Sequence, residues 1–306
     1  EIVSRDWSSD VCSSDLIRYA IVDKQEPRAQ LLRFIREEHP GEAGIVYCLS
    51  RRKVDETSSW LADQGVKALG YHAGMESTTR AKHQARFQNE DGIVMVATIA
   101  FGMGIDKADV RYVCHLNLPG SIEAYYQEIG RAGRDGEPAE TLLLYNLADM
   151  GLRRQFIDQE TGGEDHRRRE HKRLDSLLAY CEAPQCRRVS LLAYFDEAAR
   201  PCGNCDNCLA PPVLVDGTED ARAVLATIAG TGQMFGAAHI TDILRGADTQ
   251  KILERRHNEL ATYGAGKAHS KEHWQNFIRQ AVAGGTLNIN VEKMGGLEIT
   301  PRGRAV

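Results

Sequence analysis

Ile93-Val94-Met95-Val96-Ala97, running into Thr98-Ile99-Ala100-Phe101-Gly102-Met103-Gly104-Ile105-Asp106, decides the fold. The first part is an unbroken apolar run rich in β-branched residues. Such a run makes a strand buried on both faces, which is the habit of parallel sheets covered by helices. Ile45-Val46-Tyr47-Cys48, Tyr112-Val113-Cys114-His115-Leu116 and Leu142-Leu143-Leu144-Tyr145 repeat the pattern. Between them Leu31, Phe34 and Ile35 keep helical spacing, as do Val54 and Leu61. Strands alternating with amphipathic helices predict an α/β lobe with a mainly parallel sheet and right-handed crossovers.

Open sheets of this kind bind ligands beyond the carboxyl ends of their strands. Two loops qualify. Cys48 leads into Leu49-Ser50-Arg51-Arg52, where Ser50 is placed to cap a helix whose exposed N–H groups suit a phosphate. Ala97 leads into the glycine-containing loop, where Thr98 suits a backbone phosphate and Asp106, beyond Gly104, suits a ribose hydroxyl.

Further on stands Tyr125-Tyr126-Gln127-Glu128-Ile129-Gly130-Arg131-Ala132-Gly133-Arg134-Asp135-Gly136. Two arginines three residues apart are separated by small residues. A guanidinium is always charged, and its planar donor fork matches phosphate oxygens. Gly130 and Gly133 keep bulk away, so both arginines reach one polyphosphate.

The 306 residues carry a net charge of −5 and are 42% hydrophobic, with no apolar run of membrane-spanning length. A basic nucleic-acid surface must therefore be local. The basic stretch Arg167-Arg168-Arg169, with His171, Lys172 and Arg173, reads first as a solvated helix face. Of the eight cysteines, Cys48 and Cys114 sit in strand-like runs and read as inert core, whereas five fall between Cys181 and Cys208. Cys202-x-x-Cys205-x-x-Cys208 has zinc-ligand spacing, with Cys186 or Cys181 upstream as the fourth thiolate. Clustered cysteines of this kind point to a metal and a reducing cytoplasm rather than to disulfides.

After Pro211-Pro212 the pattern changes to helices followed by a hairpin. Ala221, Val224, Leu225 and Ile228 form one apolar stripe, and Trp274, Phe277, Ile278, Ala281 and Val282 form another. Leu287, Ile289 and Val291 alternate, as do Leu297 and Ile299, around a short wing tip at Lys293 and Met294. Helices ending in a two-stranded wing predict a winged helix. Trp274 falls on the apolar stripe and belongs to the core. Ser270, Lys271 and His273 are the phosphate-contact candidates, with Arg279 a lesser one. At the other end, Arg5–Leu16 resembles the in-frame translation of a sequencing adaptor, so natural sequence is expected to resume near Ile17.

The segments IVYCLSRRKVD (45–55), GYHAGM (70–75), VATIAFGMGIDKADVRYVCH (96–115), YYQEIGRAGRDG (125–136), CRR (186–188) and CGNCDNC (202–208) resemble, in order, those of the RecQ family of superfamily 2 DNA helicases. After the adaptor-like tail, set aside as an artefact at 1–16, the resemblance implies a second RecA-like motor lobe at 17–146, a helical zinc-binding subdomain at 147–211 and a winged-helix DNA-binding domain at 212–306. It implies Arg134 as arginine finger, with Arg131 and Gln127 beside it, and Gly104 and Asp106 on the nucleotide side. The family often carries asparagine where Asp106 stands. Ser50, Arg51 and Thr98 would track single-stranded DNA. Cys186, Cys202, Cys205 and Cys208 would hold structural zinc, with Cys181 left as a buried helix residue.

The implied activity is ATP- and Mg2+-dependent, 3′ to 5′ unwinding of duplex DNA in repair and recombination. The implied partners are single-stranded and junction DNA and a single-stranded-DNA-binding protein, and the implied location is the bacterial cytoplasm at the nucleoid. The chain carries no G-x-x-x-x-G-K-[ST] phosphate loop. It is therefore expected to supply the arginines but not to hydrolyse ATP alone. A different reading makes it a non-enzymatic zinc and winged-helix DNA-binding protein with a vestigial motor lobe. The retained Gln127, Arg131 and Arg134 weigh against that.

Overall fold

The computed structural model describes residues 16–99, 101, 107–161, 163–290 and 295–306. Gly104, Asp106, Val291, the wing-tip pair Lys293 and Met294, and all of the adaptor-like tail but Leu16 lie outside the described residues. In the first half the elements are β1 (Ile17–Asp23), α1 (Pro27–Arg33), β2 (Gly44–Tyr47), α2 (Arg51–Asp63), β3 (Ala68–Tyr71), α3 (Ser77–Asn89), β4 (Val94–Ala97), β5 (Tyr112–His115), α4 (Ile122–Ile129) and β6 (Ala139–Tyr145). Then come α5 (Leu147–Gln159), α6 (Glu164–Glu182), α7 (Arg187–Tyr194), α8 (Asp206–Leu209), α9 (Thr218–Gly230), α10 (Ala237–Arg245), α11 (Gln250–Glu254), α12 (Lys271–Ala283), β7 (Leu287–Asn290) and β8 (Gly296–Ile299).

The chain divides into two compact units, and the division is not collinear with the sequence. One unit joins the residues up to Tyr145 with Pro184–Pro211; the other joins Asn146–Ala183 with Pro212–Val306. The segment between lobe and winged helix is thus shared, with its cysteine-bearing half in the lobe's unit.

The lobe is a six-stranded sheet in the order β1-β6-β5-β2-β4-β3, with parallel pairing throughout. The inner strands β2, β4, β5 and β6 are buried along their whole length, as their apolar runs require, and they bury His115, Glu140 and Thr141 as well. The edge strands are less apolar. β1 mixes buried and exposed residues and pairs with β6 from Ile17↔Ala139 to Asp23↔Tyr145. β3 is short and contains Gly70. On the helix side, Leu31, Phe34, Val54 and Leu61 are buried against the sheet's Val46, Val96 and Cys114. Full burial of such a side chain contributes about 1.5–3 kcal/mol. Gly44 is required where it stands: a Cβ there would lie 2.1 Å from the Tyr112 ring.

In the second unit β7 and β8 pair antiparallel, from Leu287↔Ile299 to Asn290↔Gly296. Val224, Ile228, Ile240, Ile243, Trp274, Ile278, Val282, Leu287 and Leu297 are buried. Both anticipated stripes thus face a core, and the hairpin closes it, as a winged helix does. Trp274 is buried, and its indole N–H donates to Gly266 O at 3.0 Å. No helix among the described residues is long and apolar enough to cross a membrane.

Candidate functional site

The arginine motif begins on α4. Ser121 caps this helix by accepting from Ala124 N–H at 3.2 Å. Ile122, Tyr125 and Ile129 bury one face, and Gln127 is exposed on another. α4 ends at Gly130, and the chain then turns tightly. Ala132 N–H donates to Ile129 O, and Gly133 N–H crosses to Val110 O at 3.0 Å. Gly133 has φ +64, and a Cβ there would meet Glu137 O at 3.0 Å, so this position favours glycine.

The turn is anchored by an ion pair that the motif did not suggest. Arg111 Nη2 lies 2.5 Å from both carboxylate oxygens of Asp135, while Arg111 Nη1 donates to Pro138 O at 3.0 Å. Burial would raise the Asp135 carboxyl. Arg111 and the Glu137 N–H outweigh it and hold the group below the usual carboxylate range. Another unanticipated pair holds α4 to the sheet: His115 Nε2, on buried β5, lies 2.7 Å from Glu128.

On this frame Arg134 is exposed, with its Nε donating to Gly130 O at 3.3 Å. Arg131 is half-buried, and its Nε is buried with no hydrogen-bond partner among the described residues. A buried, unsatisfied, permanently charged donor is costly and calls for an explanation. The Nε of Arg154, outside the motif, is in the same state.

The backbone of this turn and the other candidates stand at opposite edges of the sheet, although Arg131 and Arg134 lie close enough to Tyr47, at the carboxyl end of β2, to act on its hydroxyl. Residues 131–138 immediately precede β6, and Val110 and Arg111 immediately precede β5, so the turn lies at the amino edge of the parallel sheet. Ser50 and Thr98 follow β2 and β4 and lie at the carboxyl edge. Ser50 Oγ accepts from Lys53 N–H at 3.3 Å and caps α2, leaving Arg51 exposed at the helix start. Thr98 N–H donates to Tyr71 O at the end of β3, and Thr98 O accepts from Phe101 N–H. Gly74 comes next to Arg51: a Cβ on Gly74 would stand 3.1 Å from Arg51 Cδ.

The cysteines converge. Cys186 Sγ lies 3.5 Å from Cys202 Sγ and 4.0 Å from Cys205 Sγ, and Cys202 Sγ lies 4.0 Å from Cys208 Sγ. Four sulfurs at about 2.3 Å from one zinc ion are about 3.8 Å apart, so the donor set fits a tetrahedral site. Backbone N–H groups already point at sulfur: Cys202 N–H to Cys186 at 3.3 Å, and Arg187 N–H to Cys205 at 3.4 Å. Burial pushes the Cys186 thiol up, but N–H donors from Val189 and Cys202 outweigh it and bring it down to about 7. Cys181 is buried in α6 and is not in the cluster.

Asp206 lies between two of these cysteines and fastens the cluster to the sheet. It accepts from Arg187 Nε at 2.8 Å and from the N–H of Ile21, on edge strand β1, at 3.0 Å. Helix α7 also braces α4: Tyr194 O–H donates to Glu123 at 2.8 Å, and Phe195 packs on Tyr126 with ring centroids 5.0 Å apart.

In the second unit the basic run is largely matched by acids. Arg168 pairs with Glu164, Arg173 with Glu170 and His171 with Asp158. This is the solvated, charge-paired face that composition suggested. Arg279 pairs with Glu182 at 2.8 Å, both nearly buried, and so holds α12 to α6. Ser270 caps α12 by accepting from His273 N–H at 3.1 Å, His273 Nε2 lies 2.9 Å from Asp220, and Lys271 is exposed.

Residues 26–136 match the helicase conserved C-terminal domain, 147–209 the RecQ zinc-binding domain and 211–306 the RQC domain. The chain is 47% identical over 267 residues to the ATP-dependent DNA helicase RecQ of Haemophilus influenzae, covering 87% of this chain and 43% of that protein. It is 35% identical over 278 residues to the protein of the same name from Bacillus subtilis, covering 90% and 47%. With the RecQ-like DNA helicase BLM of Xenopus laevis it shares 37% over 296 residues, covering 88% and 21%. The chain therefore spans less than half the length of these relatives.

Proposed function

The chain belongs to the RecQ family, carrying that family's helicase C-terminal, zinc-binding and RQC regions in order, and on this premise we propose that it forms the C-terminal part of an ATP-dependent DNA helicase. One observation carries the proposal. Arg131 and the exposed Arg134 stand together on a turn pinned by Gly133 and by Arg111 with Asp135. In this reading Arg134 is the arginine finger, Arg131 the companion phosphate ligand, and Gln127 the polar contact one helical turn before it. ATP and Mg2+ are held mainly by another lobe, with Gly104 and Asp106 completing the nucleotide side. The arginines neutralise charge that develops on the transferring phosphoryl oxygens.

The carboxyl edge serves the other substrate. Ser50, Arg51 and Thr98 engage the backbone of single-stranded DNA, while Ser270, Lys271 and His273 contact duplex DNA from the winged helix. Translocation runs 3′ to 5′ and serves repair and recombination. The domain plan is 17–146 for the lobe, 147–211 for the zinc-binding segment and 212–306 for the winged helix, with 1–16 foreign to the protein. Junction DNA and a single-stranded-DNA-binding protein are the partners, and the bacterial cytoplasm at the nucleoid is the location.

The zinc is structural. The RecQ zinc-binding match and the four-thiol cluster support it, and Cys186, Cys202, Cys205 and Cys208 are assigned as its ligands. When bound, the metal closes the Cys186-to-Cys208 loop and so adds folding free energy. Arg134→Ala in the full-length enzyme tests the central assignment. DNA-stimulated ATP hydrolysis should fall about a thousandfold or more while nucleotide binding survives. Near-normal turnover would overturn it.

A further inference from the structure

A buried line of side chains runs from the loop after β4 to helix α4, and the helicase reading gives it no part in turnover. It starts where Phe101 N–H donates to Thr98 O at 2.9 Å. Tyr47, the last residue of β2, is buried and donates its hydroxyl to Phe101 O at 3.0 Å. Its ring stacks on that of His115, its partner in the β2–β5 register, at 5.2 Å between centroids and 21° between planes. His115 Nε2 then meets Glu128 of α4 at 2.7 Å, and Arg131 follows three residues on. Given Thr98 as a DNA contact and Arg134 as the arginine finger, the reading on which this rests, we propose that Tyr47, His115 and Glu128 are positioning residues. They link the Thr98 loop to the arginine turn, so that single-stranded DNA on the one raises phosphoryl transfer at the other.

The Tyr47 hydroxyl sets this line apart from ordinary packing. A buried phenol needs a partner for its oxygen. Here the partner is the backbone carbonyl of a loop, so the hydroxyl follows the loop directly. Burial, followed by Glu128, pushes this hydroxyl above the ordinary tyrosine range, while Arg131 and Arg134 pull the other way. It therefore stays protonated and serves as a donor. Its one proton goes to Phe101, which leaves its lone pairs in the field of all three motif charges. Away from bulk water, such a field acts more strongly than it would in solvent.

Both ends of the line are held tightly. Phe101 stands edge-on to Tyr71 and Phe87, with ring centroids 4.7 and 5.6 Å away. His115 and Glu128 keep only 1% and 11% side-chain exposure, so solvent does not compete for their contact. Tyr125, also on α4, lies 5.3 Å from the His115 ring and meets Thr141 Oγ1 at 3.3 Å. Close-packed interiors deform little. A shift of the Thr98 loop is therefore passed on as movement of whole rings and of α4, which carries the arginine turn at its end.

The test is Tyr47→Phe in the full-length enzyme, which removes one oxygen. ATP hydrolysis is measured without DNA and with saturating oligothymidylate, so that a weakened Kd cannot imitate lost coupling. Basal hydrolysis should stay within about twofold, while the factor by which DNA raises it should fall at least about fivefold, the low end of usual coupling between sites. Glu128→Gln, at the far end, should show the same pattern. The double variant should lose no more than the worse single, because both break one line. Undiminished stimulation in Tyr47→Phe overturns the proposal. So does an equal loss of basal and stimulated rates, which is what a merely structural role gives. Should Tyr47→Phe misfold, Glu128→Gln decides on the same ratio. Arg134→Ala, run in parallel, tells the two failures apart. Near-normal turnover there removes the arginine finger itself, whereas an inactive Arg134→Ala beside a normally stimulated Tyr47→Phe removes only the link.

Discussion

The arginine turn of the lobe and the α12 start of the winged helix are both proposed to meet phosphate, but they hold their cations differently. In the lobe the scaffold is held by Arg111 to Asp135, Gly133 to Val110 and His115 Nε2 to Glu128. Arg131 Nε, on the proposed phosphate ligand, has no hydrogen-bond partner among the described residues. At α12 the candidates are mostly engaged within the unit: Ser270 caps, His273 meets Asp220, and Arg279 meets Glu182. Lys271 remains exposed. A site that must stabilise a transition state keeps its donors preorganised, because reorganisation at the moment of reaction would raise the barrier. A surface that only holds a DNA backbone works with flexible exposed cations and loses little when one is removed.

That contrast can be broken by experiment. Arg134→Ala carries the largest expected effect, the thousandfold loss of hydrolysis given above. Arg134→Lys should recover little of it, because a point-charge ammonium does not replace the planar fork. Next is Cys205→Ser, which should remove the metal of the four-cysteine site and with it much of the soluble yield. Zinc analysis and thermal unfolding check this, and a full zinc complement would refute the ligand set.

Acid should act on the winged-helix unit. Burial, followed by His257 and Lys251, pushes His239 down to about 4. Above the ordinary histidine value of about 6.5 it is neutral whether folded or unfolded. Between about 6.5 and 4 only the unfolded chain takes up the proton, so stability falls as pH falls through that window. The loss should be of the order of 1–3 kcal/mol. Denaturant unfolding from pH 7 to 4.5 should show that slope, and His239→Gln should flatten it.

Asp206→Ala should cost about 1–3 kcal/mol, since it strips the buried Arg187 and the Ile21 N–H of their acceptor. Lys271→Ala is expected to be smallest. Duplex binding should weaken severalfold with a shallower salt dependence, and hydrolysis per bound enzyme should not change. A large effect on hydrolysis from Lys271→Ala would erase the distinction between the two regions.

Much of the lobe was readable from the chain. β2, β4, β5 and β6 are buried on both faces, so their sequences hold apolar runs, with His115 in β5 and Glu140 and Thr141 in β6 as polar exceptions. The edge strands β1 and β3 went unread because an edge needs less apolar surface: β1 carries Arg18 and Asp23, and β3 is four residues around Gly70. The cysteine spacing was readable for the same local reason, since two thiolates from one turn need C-x-x-C. Asp206 sits inside that motif, yet its bond to Ile21 spans 185 residues and leaves no local trace. His115 and Arg111 were hidden likewise, each meeting its carboxylate only when β5 comes beside the end of α4.

The sequence alone determined the element types, the arginine pair, the thiol set and the family, because each rests on periodicity or on residues a few positions apart. Tertiary structure decided which edge of the sheet each candidate occupies, which half of the 146–211 segment joins the lobe, and that Tyr47, His115 and Glu128 meet. Those outcomes depend on chain crossovers and on contacts between residues far apart in sequence. Hydrophobic burial of the whole chain selects them, and no short window of residues encodes them.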